Sequence, residues 1–159
     1  KKIIPIAVDY DFINTNIDQE YIPKKNAIFT TRSDRNLEFL IECWKSIKKA
    51  TDNSCLYINP PYLLNEDHLN ISIKLRLKGD RPNLINDLVN SRVMLNPGHK
   101  GEVFCLAALE AKEMCLPIVT MGYGSLTERV EHGETGYIAK NQSEFIDYSL
   151  DVLNNDKTK

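Results

Sequence analysis

The chain has 159 residues, of which 42% are hydrophobic and 26% are charged, and its net charge is -2 at pH 7. This length supplies one hydrophobic core, so we expect a single globular unit. The near balance of charge gives no electrostatic basis for binding nucleic acid, and no apolar run approaches the roughly 20 residues that span a bilayer.

Short apolar runs alternate with helical periodicity in the first half of the chain. Residues 27–31 are typical of a buried strand, and apolar side chains at helical spacing then predict a helix over 37–50. A second strand is predicted over 54–58. It ends before the two prolines at 60 and 61, because neither of them can donate a ladder hydrogen bond. The pattern gives no assignment for residues 62–70.

The second half begins with alternating apolar and polar residues over 71–78, which predict a strand with one solvated face near a sheet edge. The further predicted elements are a helix over 83–90, a strand over 93–96, a helix that contains two glutamates, a strand over 118–120, a short helix around 126–132, a strand at 137–138 and a helix over 144–153.

Alternation of about six strands with helices predicts a doubly wound, Rossmann-like α/β fold, in which a parallel sheet has helices on both faces. Ligands of such sheets bind beyond the carboxyl ends of the strands, where the strand order reverses. The loops that follow the strands are therefore where we look for functional side chains.

The cysteines do not form a recognisable framework. They include no C-x-x-C motif and no metal-ligand spacing with the histidines, so we expect neither disulfides nor a zinc site. Cys43 and Cys55 lie in apolar patterns and are expected in the core. No Asp-x-Asp motif is placed to bind a divalent cation, and no metal is predicted.

Two arginines flank the start of the first long helix, in T-R-S-D-R-N-L-E. The guanidinium groups of Arg32 and Arg35 can each donate two parallel hydrogen bonds to a phosphate. Alternatively, Ser33 or Asp34 caps the helix and the arginines form solvated pairs with Asp34 and Glu38.

Seven residues separate Glu102 from Glu110 in G-E-V-F-C-L-A-A-L-E-A. We expect the helix to begin at Glu102, which places the two carboxylates roughly 12 Å apart along its axis. Helix N-terminal amides attract a phosphate, so the pattern predicts a ligand that is anionic in the middle and polar at both ends. Gly98 and Gly101 permit close backbone approach, and Lys100 adds a positive charge.

Both glutamates also have a simpler interpretation. Glu102 could serve only as an acidic cap of its own helix. Glu110 could lie on a solvated face, although its alanine and leucine neighbours predict a buried face, and a buried carboxylate requires a partner.

The stretch from Gly101 to Ile138 resembles the donor-binding half of retaining glycosyltransferases with the GT-B architecture, the group 1 glycosyl transferases, whose signature is E-x-x-x-x-x-x-x-E. Residues 3–9, I-I-P-I-A-V-D, resemble the interdomain connection of that family, and A-I-F-T-T-R-S-D-R-N-L-E resembles the first strand and phosphate loop of its C-terminal domain. The resemblance implies that residues 1–26 are a linker and lead-in segment, that residues 27–159 are the nucleotide-sugar-binding domain, and that an N-terminal acceptor domain lies outside this chain.

The resemblance implies retaining transfer of a sugar from a nucleoside-diphosphate sugar to a glycan or lipid-linked acceptor, with no cofactor besides this donor. It implies that Arg35 and Glu102 are catalytic, with Glu102 on the sugar hydroxyls and Glu110 on the ribose. We expect a cytoplasmic location, and any membrane association to be made by the missing domain. The donor-binding residues that it implies are Arg32, Arg35, Gly98, Lys100, Glu102, Val103, Phe104, Cys105, Leu106 and Glu110.

The chain departs from the family pattern at several glycines. The family commonly has E-G-F-G-L where this chain has E-V-F-C-L, so Val103 and Cys105 occupy glycine positions. Cys115 stands where the family often has the glycine that ends the helix, and Arg35-Asn36 falls where a Lys-Gly pair is expected. His99, in the same loop as Glu102, is interpreted as a loop residue without a catalytic role.

Two other functions remain open at this point. Val103 and Cys105 favour a nucleotide-sugar-binding module without catalysis. The second alternative is an unrelated flavodoxin-like domain that binds a partner, in which Glu102 and Glu110 are only helix charges.

Overall fold

The computed structural model describes residues 8–18, 20–77 and 79–156. Most of the segment that resembles an interdomain connection, residues 3–7, lies outside this part of the chain, and the domain division at residue 26 stays a prediction. The strands are β1 (Asn26–Phe29), β2 (Cys55–Ile58), β3 (Ile73–Leu75), β4 (Val93–Leu95), β5 (Ile118–Thr120) and β6 (Gly136–Ile138).

These six strands form one parallel sheet in the order β3-β2-β1-β4-β5-β6. The helix before β1 is α1 (Tyr10–Ile13), and the helix after β6 is α7 (Gln142–Asn154). The helices between the strands are α2 (Leu37–Ala50), α3 (Glu66–Asn70), α4 (Arg81–Val89), α5 (Leu106–Glu113) and α6 (Leu126–Arg129). The architecture confirms the predicted doubly wound, Rossmann-like α/β fold.

Alternate side chains of the strands enter two hydrophobic layers, one on each face of the sheet. In β1, Ala27 and Phe29 join the layer formed with α2 and α7, whereas Ile28 joins the layer formed with α4 and α5. Trp44 is fully buried in the first layer, where its indole N–H donates to the carbonyl of Ile71 at 2.8 Å. Burial on both faces explains why the short strands consist almost entirely of apolar residues.

The described part of the predicted linker packs against the domain. Phe12 of α1 is buried in the second layer, and α1 contacts α4 and α5. The guanidinium of Arg92, which precedes β4, donates to the carbonyls of Pro23 and Leu153. These contacts hold the segment before β1 against the sheet and α7.

Two regions around β3 add to or differ from the sequence analysis. The alternating pattern over 71–78 predicts a long strand, but only Ile73–Leu75 pairs as β3, followed by one bond from the Arg76 amide to the Ile58 carbonyl at 2.8 Å. Its neighbour β2 ends at Ile58, so the pairing of β3 ends there as well. The unassigned region contains α3, which Asn65 and His68 cap reciprocally.

The cysteines lie in different environments. Cys43, Cys55 and Cys105 are buried, as expected for the first two, and Cys115 is exposed. Burial raises the pKa of the Cys43 thiol to about 12, with a smaller contribution from Glu42. Burial also raises the thiol pKa of Cys55 and of Cys105.

The sheet order determines where a ligand crevice forms. The chain proceeds outward from β1 through β2 to β3, and then returns to the other side of β1 to add β4, β5 and β6. The strand order therefore reverses between β1 and β4, and in such sheets the crevice lies beyond the carboxyl ends of these two strands.

Candidate functional site

The loops after β1 and β4 are joined by a side-chain hydrogen bond across the crevice. The amide of Asn36 donates to the carbonyl oxygen of Gly98 at 2.5 Å. In the second loop, the side-chain oxygen Oδ1 of Asn96 accepts from the backbone amide of Gly98 at 3.2 Å. The two loops that the sequence analysis selected are thus held next to each other at the switch point.

Arg35 lies between these loops. Its side chain is 20% exposed, its Nη1 lies 3.1 Å from His99 Nδ1, and its Nε lies 3.8 Å from Glu102 Oε2. Arg32 differs, because its side chain is 72% exposed and bonds through Nε and Nη2 to the carboxylate of Asp34. The structure therefore brings Arg35 to Glu102 and leaves Arg32 in the solvated pair that was the alternative interpretation.

Glu102 precedes its helix, so the prediction that the helix begins at this residue is wrong. The helix α5 begins at Leu106, and the Glu102 Oε1 atom accepts a hydrogen bond from the Cys105 amide at 3.1 Å. Its side chain is 17% exposed, and Oε2 points towards Arg35. The predicted separation along one helix axis does not apply, because the four residues from 102 to 105 form a loop.

Three positions where the family favours glycine have left-handed backbone in this chain. Asn36, Cys105 and Cys115 have φ angles of 62°, 51° and 51°. L-residues adopt this conformation at a cost of roughly 1–2 kcal/mol, with asparagine the most tolerant. The backbone therefore has the shape that glycine would allow, although the side chains differ.

The remaining predicted residues of this loop differ in exposure. Val103 is 89% exposed, and Leu106 is half exposed. The Phe104 ring faces the Arg129 guanidinium at 4.4 Å, and its carbonyl accepts from Arg129 Nε at 3.2 Å. Lys100 is exposed and has no ion pair among the described residues. The loop thus presents an apolar rim beside Glu102.

Glu110 is partly buried on α5. Burial raises the pKa of its carboxyl, while the positive charges of Arg81 and Arg76 oppose this shift and Asp9 adds to it. Arg81 is paired with Asp9 at 2.7 Å and Arg76 with Asp87 at 2.7 Å, so both cations already have partners. Within the described residues, the Glu110 carboxylate has no hydrogen bond or ion pair of its own.

The glycine-rich turn after β5 packs against the same loop. A Cβ atom at Gly124 would lie 2.8 Å from the His99 carbonyl oxygen and 2.9 Å from the Glu102 Cβ. Ser125 follows, and its buried hydroxyl has no hydrogen-bond partner within the described residues. The hydroxyls of Thr30 and Thr31, which follow β1, are also buried without a partner. Three unused hydroxyls therefore lie after β1 and β5.

Other features of the described residues do not add a second site. A cavity of about 710 Å³ lies between α2 and α3 and is lined mainly by charged and polar side chains of these helices. Across residues 8–18, 20–77 and 79–156, no group of three metal-binding side chains occurs. In the same ranges no helix is both long and apolar enough to cross a bilayer.

Asn36 and His99 contact the predicted site residues but were not predicted to belong to the site. The signal for Asn36 was its place at an expected glycine, which asparagine can occupy with left-handed backbone. His99 had no signal, because its contact with Arg35 joins residues that are distant in sequence.

Comparisons with known proteins agree with this fold. The sequence model of the family described as Glycosyl transferases group 1 matches residues 18–159. A mutant TarM of S. aureus, crystallised with fondaparinux, alpha-GlcNAc-glycerol and UDP, is 18% identical with a TM-score of 0.69, and the match covers 89% of this chain and 31% of TarM. The pneumococcal O-GlcNAc transferase GtfA, in complex with UDP and GlcNAc, is 18% identical with a TM-score of 0.64, over 86% of this chain and 30% of GtfA.

A third similar structure is a single domain. The C-terminal domain of LpcC, a group 1 glycosyl transferase family protein from Francisella tularensis, is 18% identical with a TM-score of 0.62, over 86% of this chain and 84% of that domain. The chain thus spans about a third of the TarM and GtfA chains and most of the LpcC domain. No curated protein matches the sequence.

Proposed function

Because the chain belongs to the glycosyl transferases group 1 family, we propose that it is the donor-binding domain of a retaining glycosyltransferase. Its donor is a nucleoside-diphosphate sugar, and the sugar passes to a glycan or lipid-linked acceptor. The observation that carries this proposal is the meeting of Arg35 and Glu102 from two loops at the switch point of the sheet.

Arg35 is the proposed diphosphate ligand. Departure of the nucleoside diphosphate develops negative charge on its phosphates, and a guanidinium that is already in place stabilises this charge. The 3.8 Å between its Nε and Glu102 exceeds a hydrogen bond, so N–H groups of Arg35 remain available for phosphate oxygens. The first amides of α5, which have no partner within the helix, are proposed to stabilise the same charge.

Glu102 is the proposed ligand of the sugar hydroxyls. Its Oε1 atom is held by the Cys105 amide at 3.1 Å, and its Oε2 atom faces Arg35. An ionised carboxylate only accepts hydrogen bonds, and this one retains lone pairs for hydroxyl donors of a sugar. The single bond that caps the loop therefore also orients the proposed sugar-binding group.

Glu110 is the proposed ligand of the ribose. Its partly buried carboxylate has no hydrogen bond in the described residues, and its raised pKa reflects this loss of solvation. Two vicinal ribose hydroxyls would supply the missing donors. The free protein already has the cost of desolvating the Glu110 carboxylate. A ligand that donates hydrogen bonds to this carboxylate offsets that cost and therefore binds more tightly.

The other predicted residues surround this central group. We propose that Val103 and Leu106 contact the sugar as an apolar rim, and that Gly98, Phe104 and Cys105 shape the loop. Arg32 and Lys100 are exposed, so their contribution to binding the diphosphate is expected to be small and screened by salt.

Turnover is proposed to require further polypeptide. The chain spans about a third of the TarM and GtfA chains. An acceptor domain that precedes residues 27–159, connected through residues 1–26, would close the crevice and exclude water. The domain alone is expected to bind donor and to turn over poorly. No cofactor besides the donor is proposed, and the location is proposed to be cytoplasmic.

Membership in the glycosyl transferases group 1 family excludes the alternative of an unrelated flavodoxin-like domain. A nucleotide-sugar-binding module without catalysis remains the second candidate, favoured by Val103 and Cys105 at glycine positions. The left-handed backbone of Cys105 supports the catalytic proposal instead, because the loop keeps a glycine-like shape.

Calorimetric titration of the chain with UDP and with GDP tests the proposal. We expect binding of at least one nucleotide at millimolar concentration, and loss of that binding in Glu110→Ala. The matched control is Glu113→Ala, which removes an exposed glutamate from the same helix. Failure of both nucleotides to bind would contradict the proposal. Sugar transfer by the full-length protein, but not by its Glu102→Ala variant, would separate an enzyme from a binding module.

A further inference from the structure

His99 Nδ1 lies within hydrogen-bonding distance of two donors. The backbone amide of Gly101 donates to it at 3.0 Å, and Arg35 Nη1 lies 3.1 Å away. An amide and a guanidinium can only donate hydrogen bonds, so Nδ1 must be the acceptor of both. The imidazole is therefore neutral, with its proton on Nε2.

This ring is the main anchor of Arg35. The two carboxylates near the guanidinium are Glu102 at 3.8 Å and Asp34 at 4.0 Å, both beyond hydrogen-bonding distance. Among the described residues, His99 Nδ1 is the only hydrogen-bond acceptor of the Arg35 side chain. The same nitrogen fixes the turn at Gly101 that leads into Glu102. One atom thus sets the positions of both residues at the centre of the crevice.

We propose that His99 is a positioning residue, whose unprotonated Nδ1 holds the Arg35 guanidinium where it meets the diphosphate. This inference rests on the proposed function, because it takes Arg35 to be the phosphate ligand. It adds a structural consequence, namely that Arg35 keeps this position only while Nδ1 of His99 carries no proton.

Protonation would dismantle the arrangement. A proton on Nδ1 removes the acceptor of both hydrogen bonds and places a positive ring beside Arg35. The other charged groups around His99 are Asp34 in the first loop and Lys100 and Glu102 in its own loop. The turn after β5 that packs on this loop contributes only the phenol of Tyr123 as a titratable group. A proton on this nitrogen would therefore displace Arg35 from its position.

The first test is the tautomer of His99 in the chain without ligand. Long-range ¹H–¹⁵N NMR correlations at pH 8 distinguish a protonated Nε2 from a protonated Nδ1. We expect the Nε2–H form, and an Nδ1–H ring would overturn the inference. This result does not depend on nucleotide binding, so it separates failure of the inference from failure of the proposed function.

The second test compares two variants by titration with UDP at pH 8. His99→Asn keeps an acceptor, because asparagine Oδ1 and histidine Nδ1 are both bonded to Cγ. His99→Leu has a similar volume and no acceptor. We expect affinity within about threefold of wild type for His99→Asn and a loss of about tenfold for His99→Leu. Equal affinity of both variants, whether weakened or unchanged, would overturn the inference.

Discussion

The backbone amide of Ser125 donates a hydrogen bond of 2.9 Å to the carbonyl oxygen of Glu102. This bond joins the turn after β5 to the loop after β4, so a third strand end supports the crevice between β1 and β4. It also requires close approach of the two backbones at Gly124, which has a φ of 62°. The conformation of the turn and the position of Glu102 are therefore linked.

Gly124→Ala is expected to lower the free energy of unfolding by about 2–4 kcal/mol, because the left-handed backbone and the collision of the new Cβ with His99 and Glu102 both cost energy. Gly133→Ala is the control, since Gly133 also has a positive φ of 85° but nothing lies within 4 Å of its added Cβ. It is expected to lose about 1 kcal/mol. Urea unfolding measures both, and equal losses would contradict the packing argument.

Arg35→Ala is expected to weaken UDP binding by about tenfold or more, because a charge-assisted bidentate contact is lost. Arg35→Lys should recover only part of this loss, since lysine keeps the charge but not the planar fork. Lys45→Ala removes the same charge from the outer face of α2, where Lys45 pairs with Glu42, and should bind like wild type. Calorimetric titration with UDP measures the affinity of each variant. A similar loss of affinity in Lys45→Ala would indicate an effect of net charge instead of a specific contact.

Glu110→Gln is expected to stabilise the fold at neutral pH while it abolishes nucleotide binding. Burial raises the pKa of Glu110, so the folded state prefers the protonated carboxyl. The contribution of Glu110 to the free energy of unfolding is fully present below its unfolded-state pKa, about 4.3. This contribution is lost as the pH rises through the folded-state pKa of Glu110. The gain of the variant over wild type should therefore be largest at neutral pH and should disappear in acid.

Urea unfolding between pH 3 and pH 7 measures this difference. Glu113→Gln is the control, because Glu113 is exposed on the same helix, and it should show no comparable gain. A Glu110→Gln variant that is less stable than wild type at pH 7 would mean that the attraction to Arg81 and Arg76 outweighs the desolvation.

Cys115→Gly is expected to raise the free energy of unfolding by about 1 kcal/mol. Cys115 follows the end of α5 with left-handed backbone, and the amides of Cys115 and Leu116 donate back to Lys112 and Ala111 at 3.1 and 2.9 Å. This is a Schellman motif, in which glycine has no Cβ penalty. Cys115→Ala removes the thiol but keeps the penalty, so a gain in both variants would refute the backbone explanation.

Periodicity predicted the elements with strong hydrophobic patterns. The strand at Ile118–Thr120 and the helix at Leu37–Ala50 were predicted with the bounds that the structure has. In both elements, the conformation that the residues favour locally is the one in which their apolar side chains are buried. Tertiary contacts therefore do not change the locally favoured conformation. The reversal of strand order, which places the crevice, followed from the predicted fold class only in general terms, because sequence patterns do not give strand order.

The start of α5 and the central contacts of the site were not predictable in the same way. Glu102 accepts from the Cys105 amide and Cys105 is left-handed, so the chain turns once more before the helix begins. Apolar spacing continues through this loop and hides the boundary. The contact of Arg35 with His99 joins residues 64 positions apart, and only the packed structure reveals which ring nitrogen is involved.

The distribution of thiols makes this chain convenient for fluorescence. Maleimide dyes react with accessible thiolates, and Cys115 is exposed whereas Cys43, Cys55 and Cys105 are buried. Cys115 also precedes β5, so a dye attached there lies at the amino-terminal ends of the parallel strands. Arg35 and Glu102 follow strands and lie at the opposite, carboxyl-terminal ends. The natural sequence can therefore be labelled at a single position, without removing any cysteine, to follow the approach of another domain to an unmodified crevice.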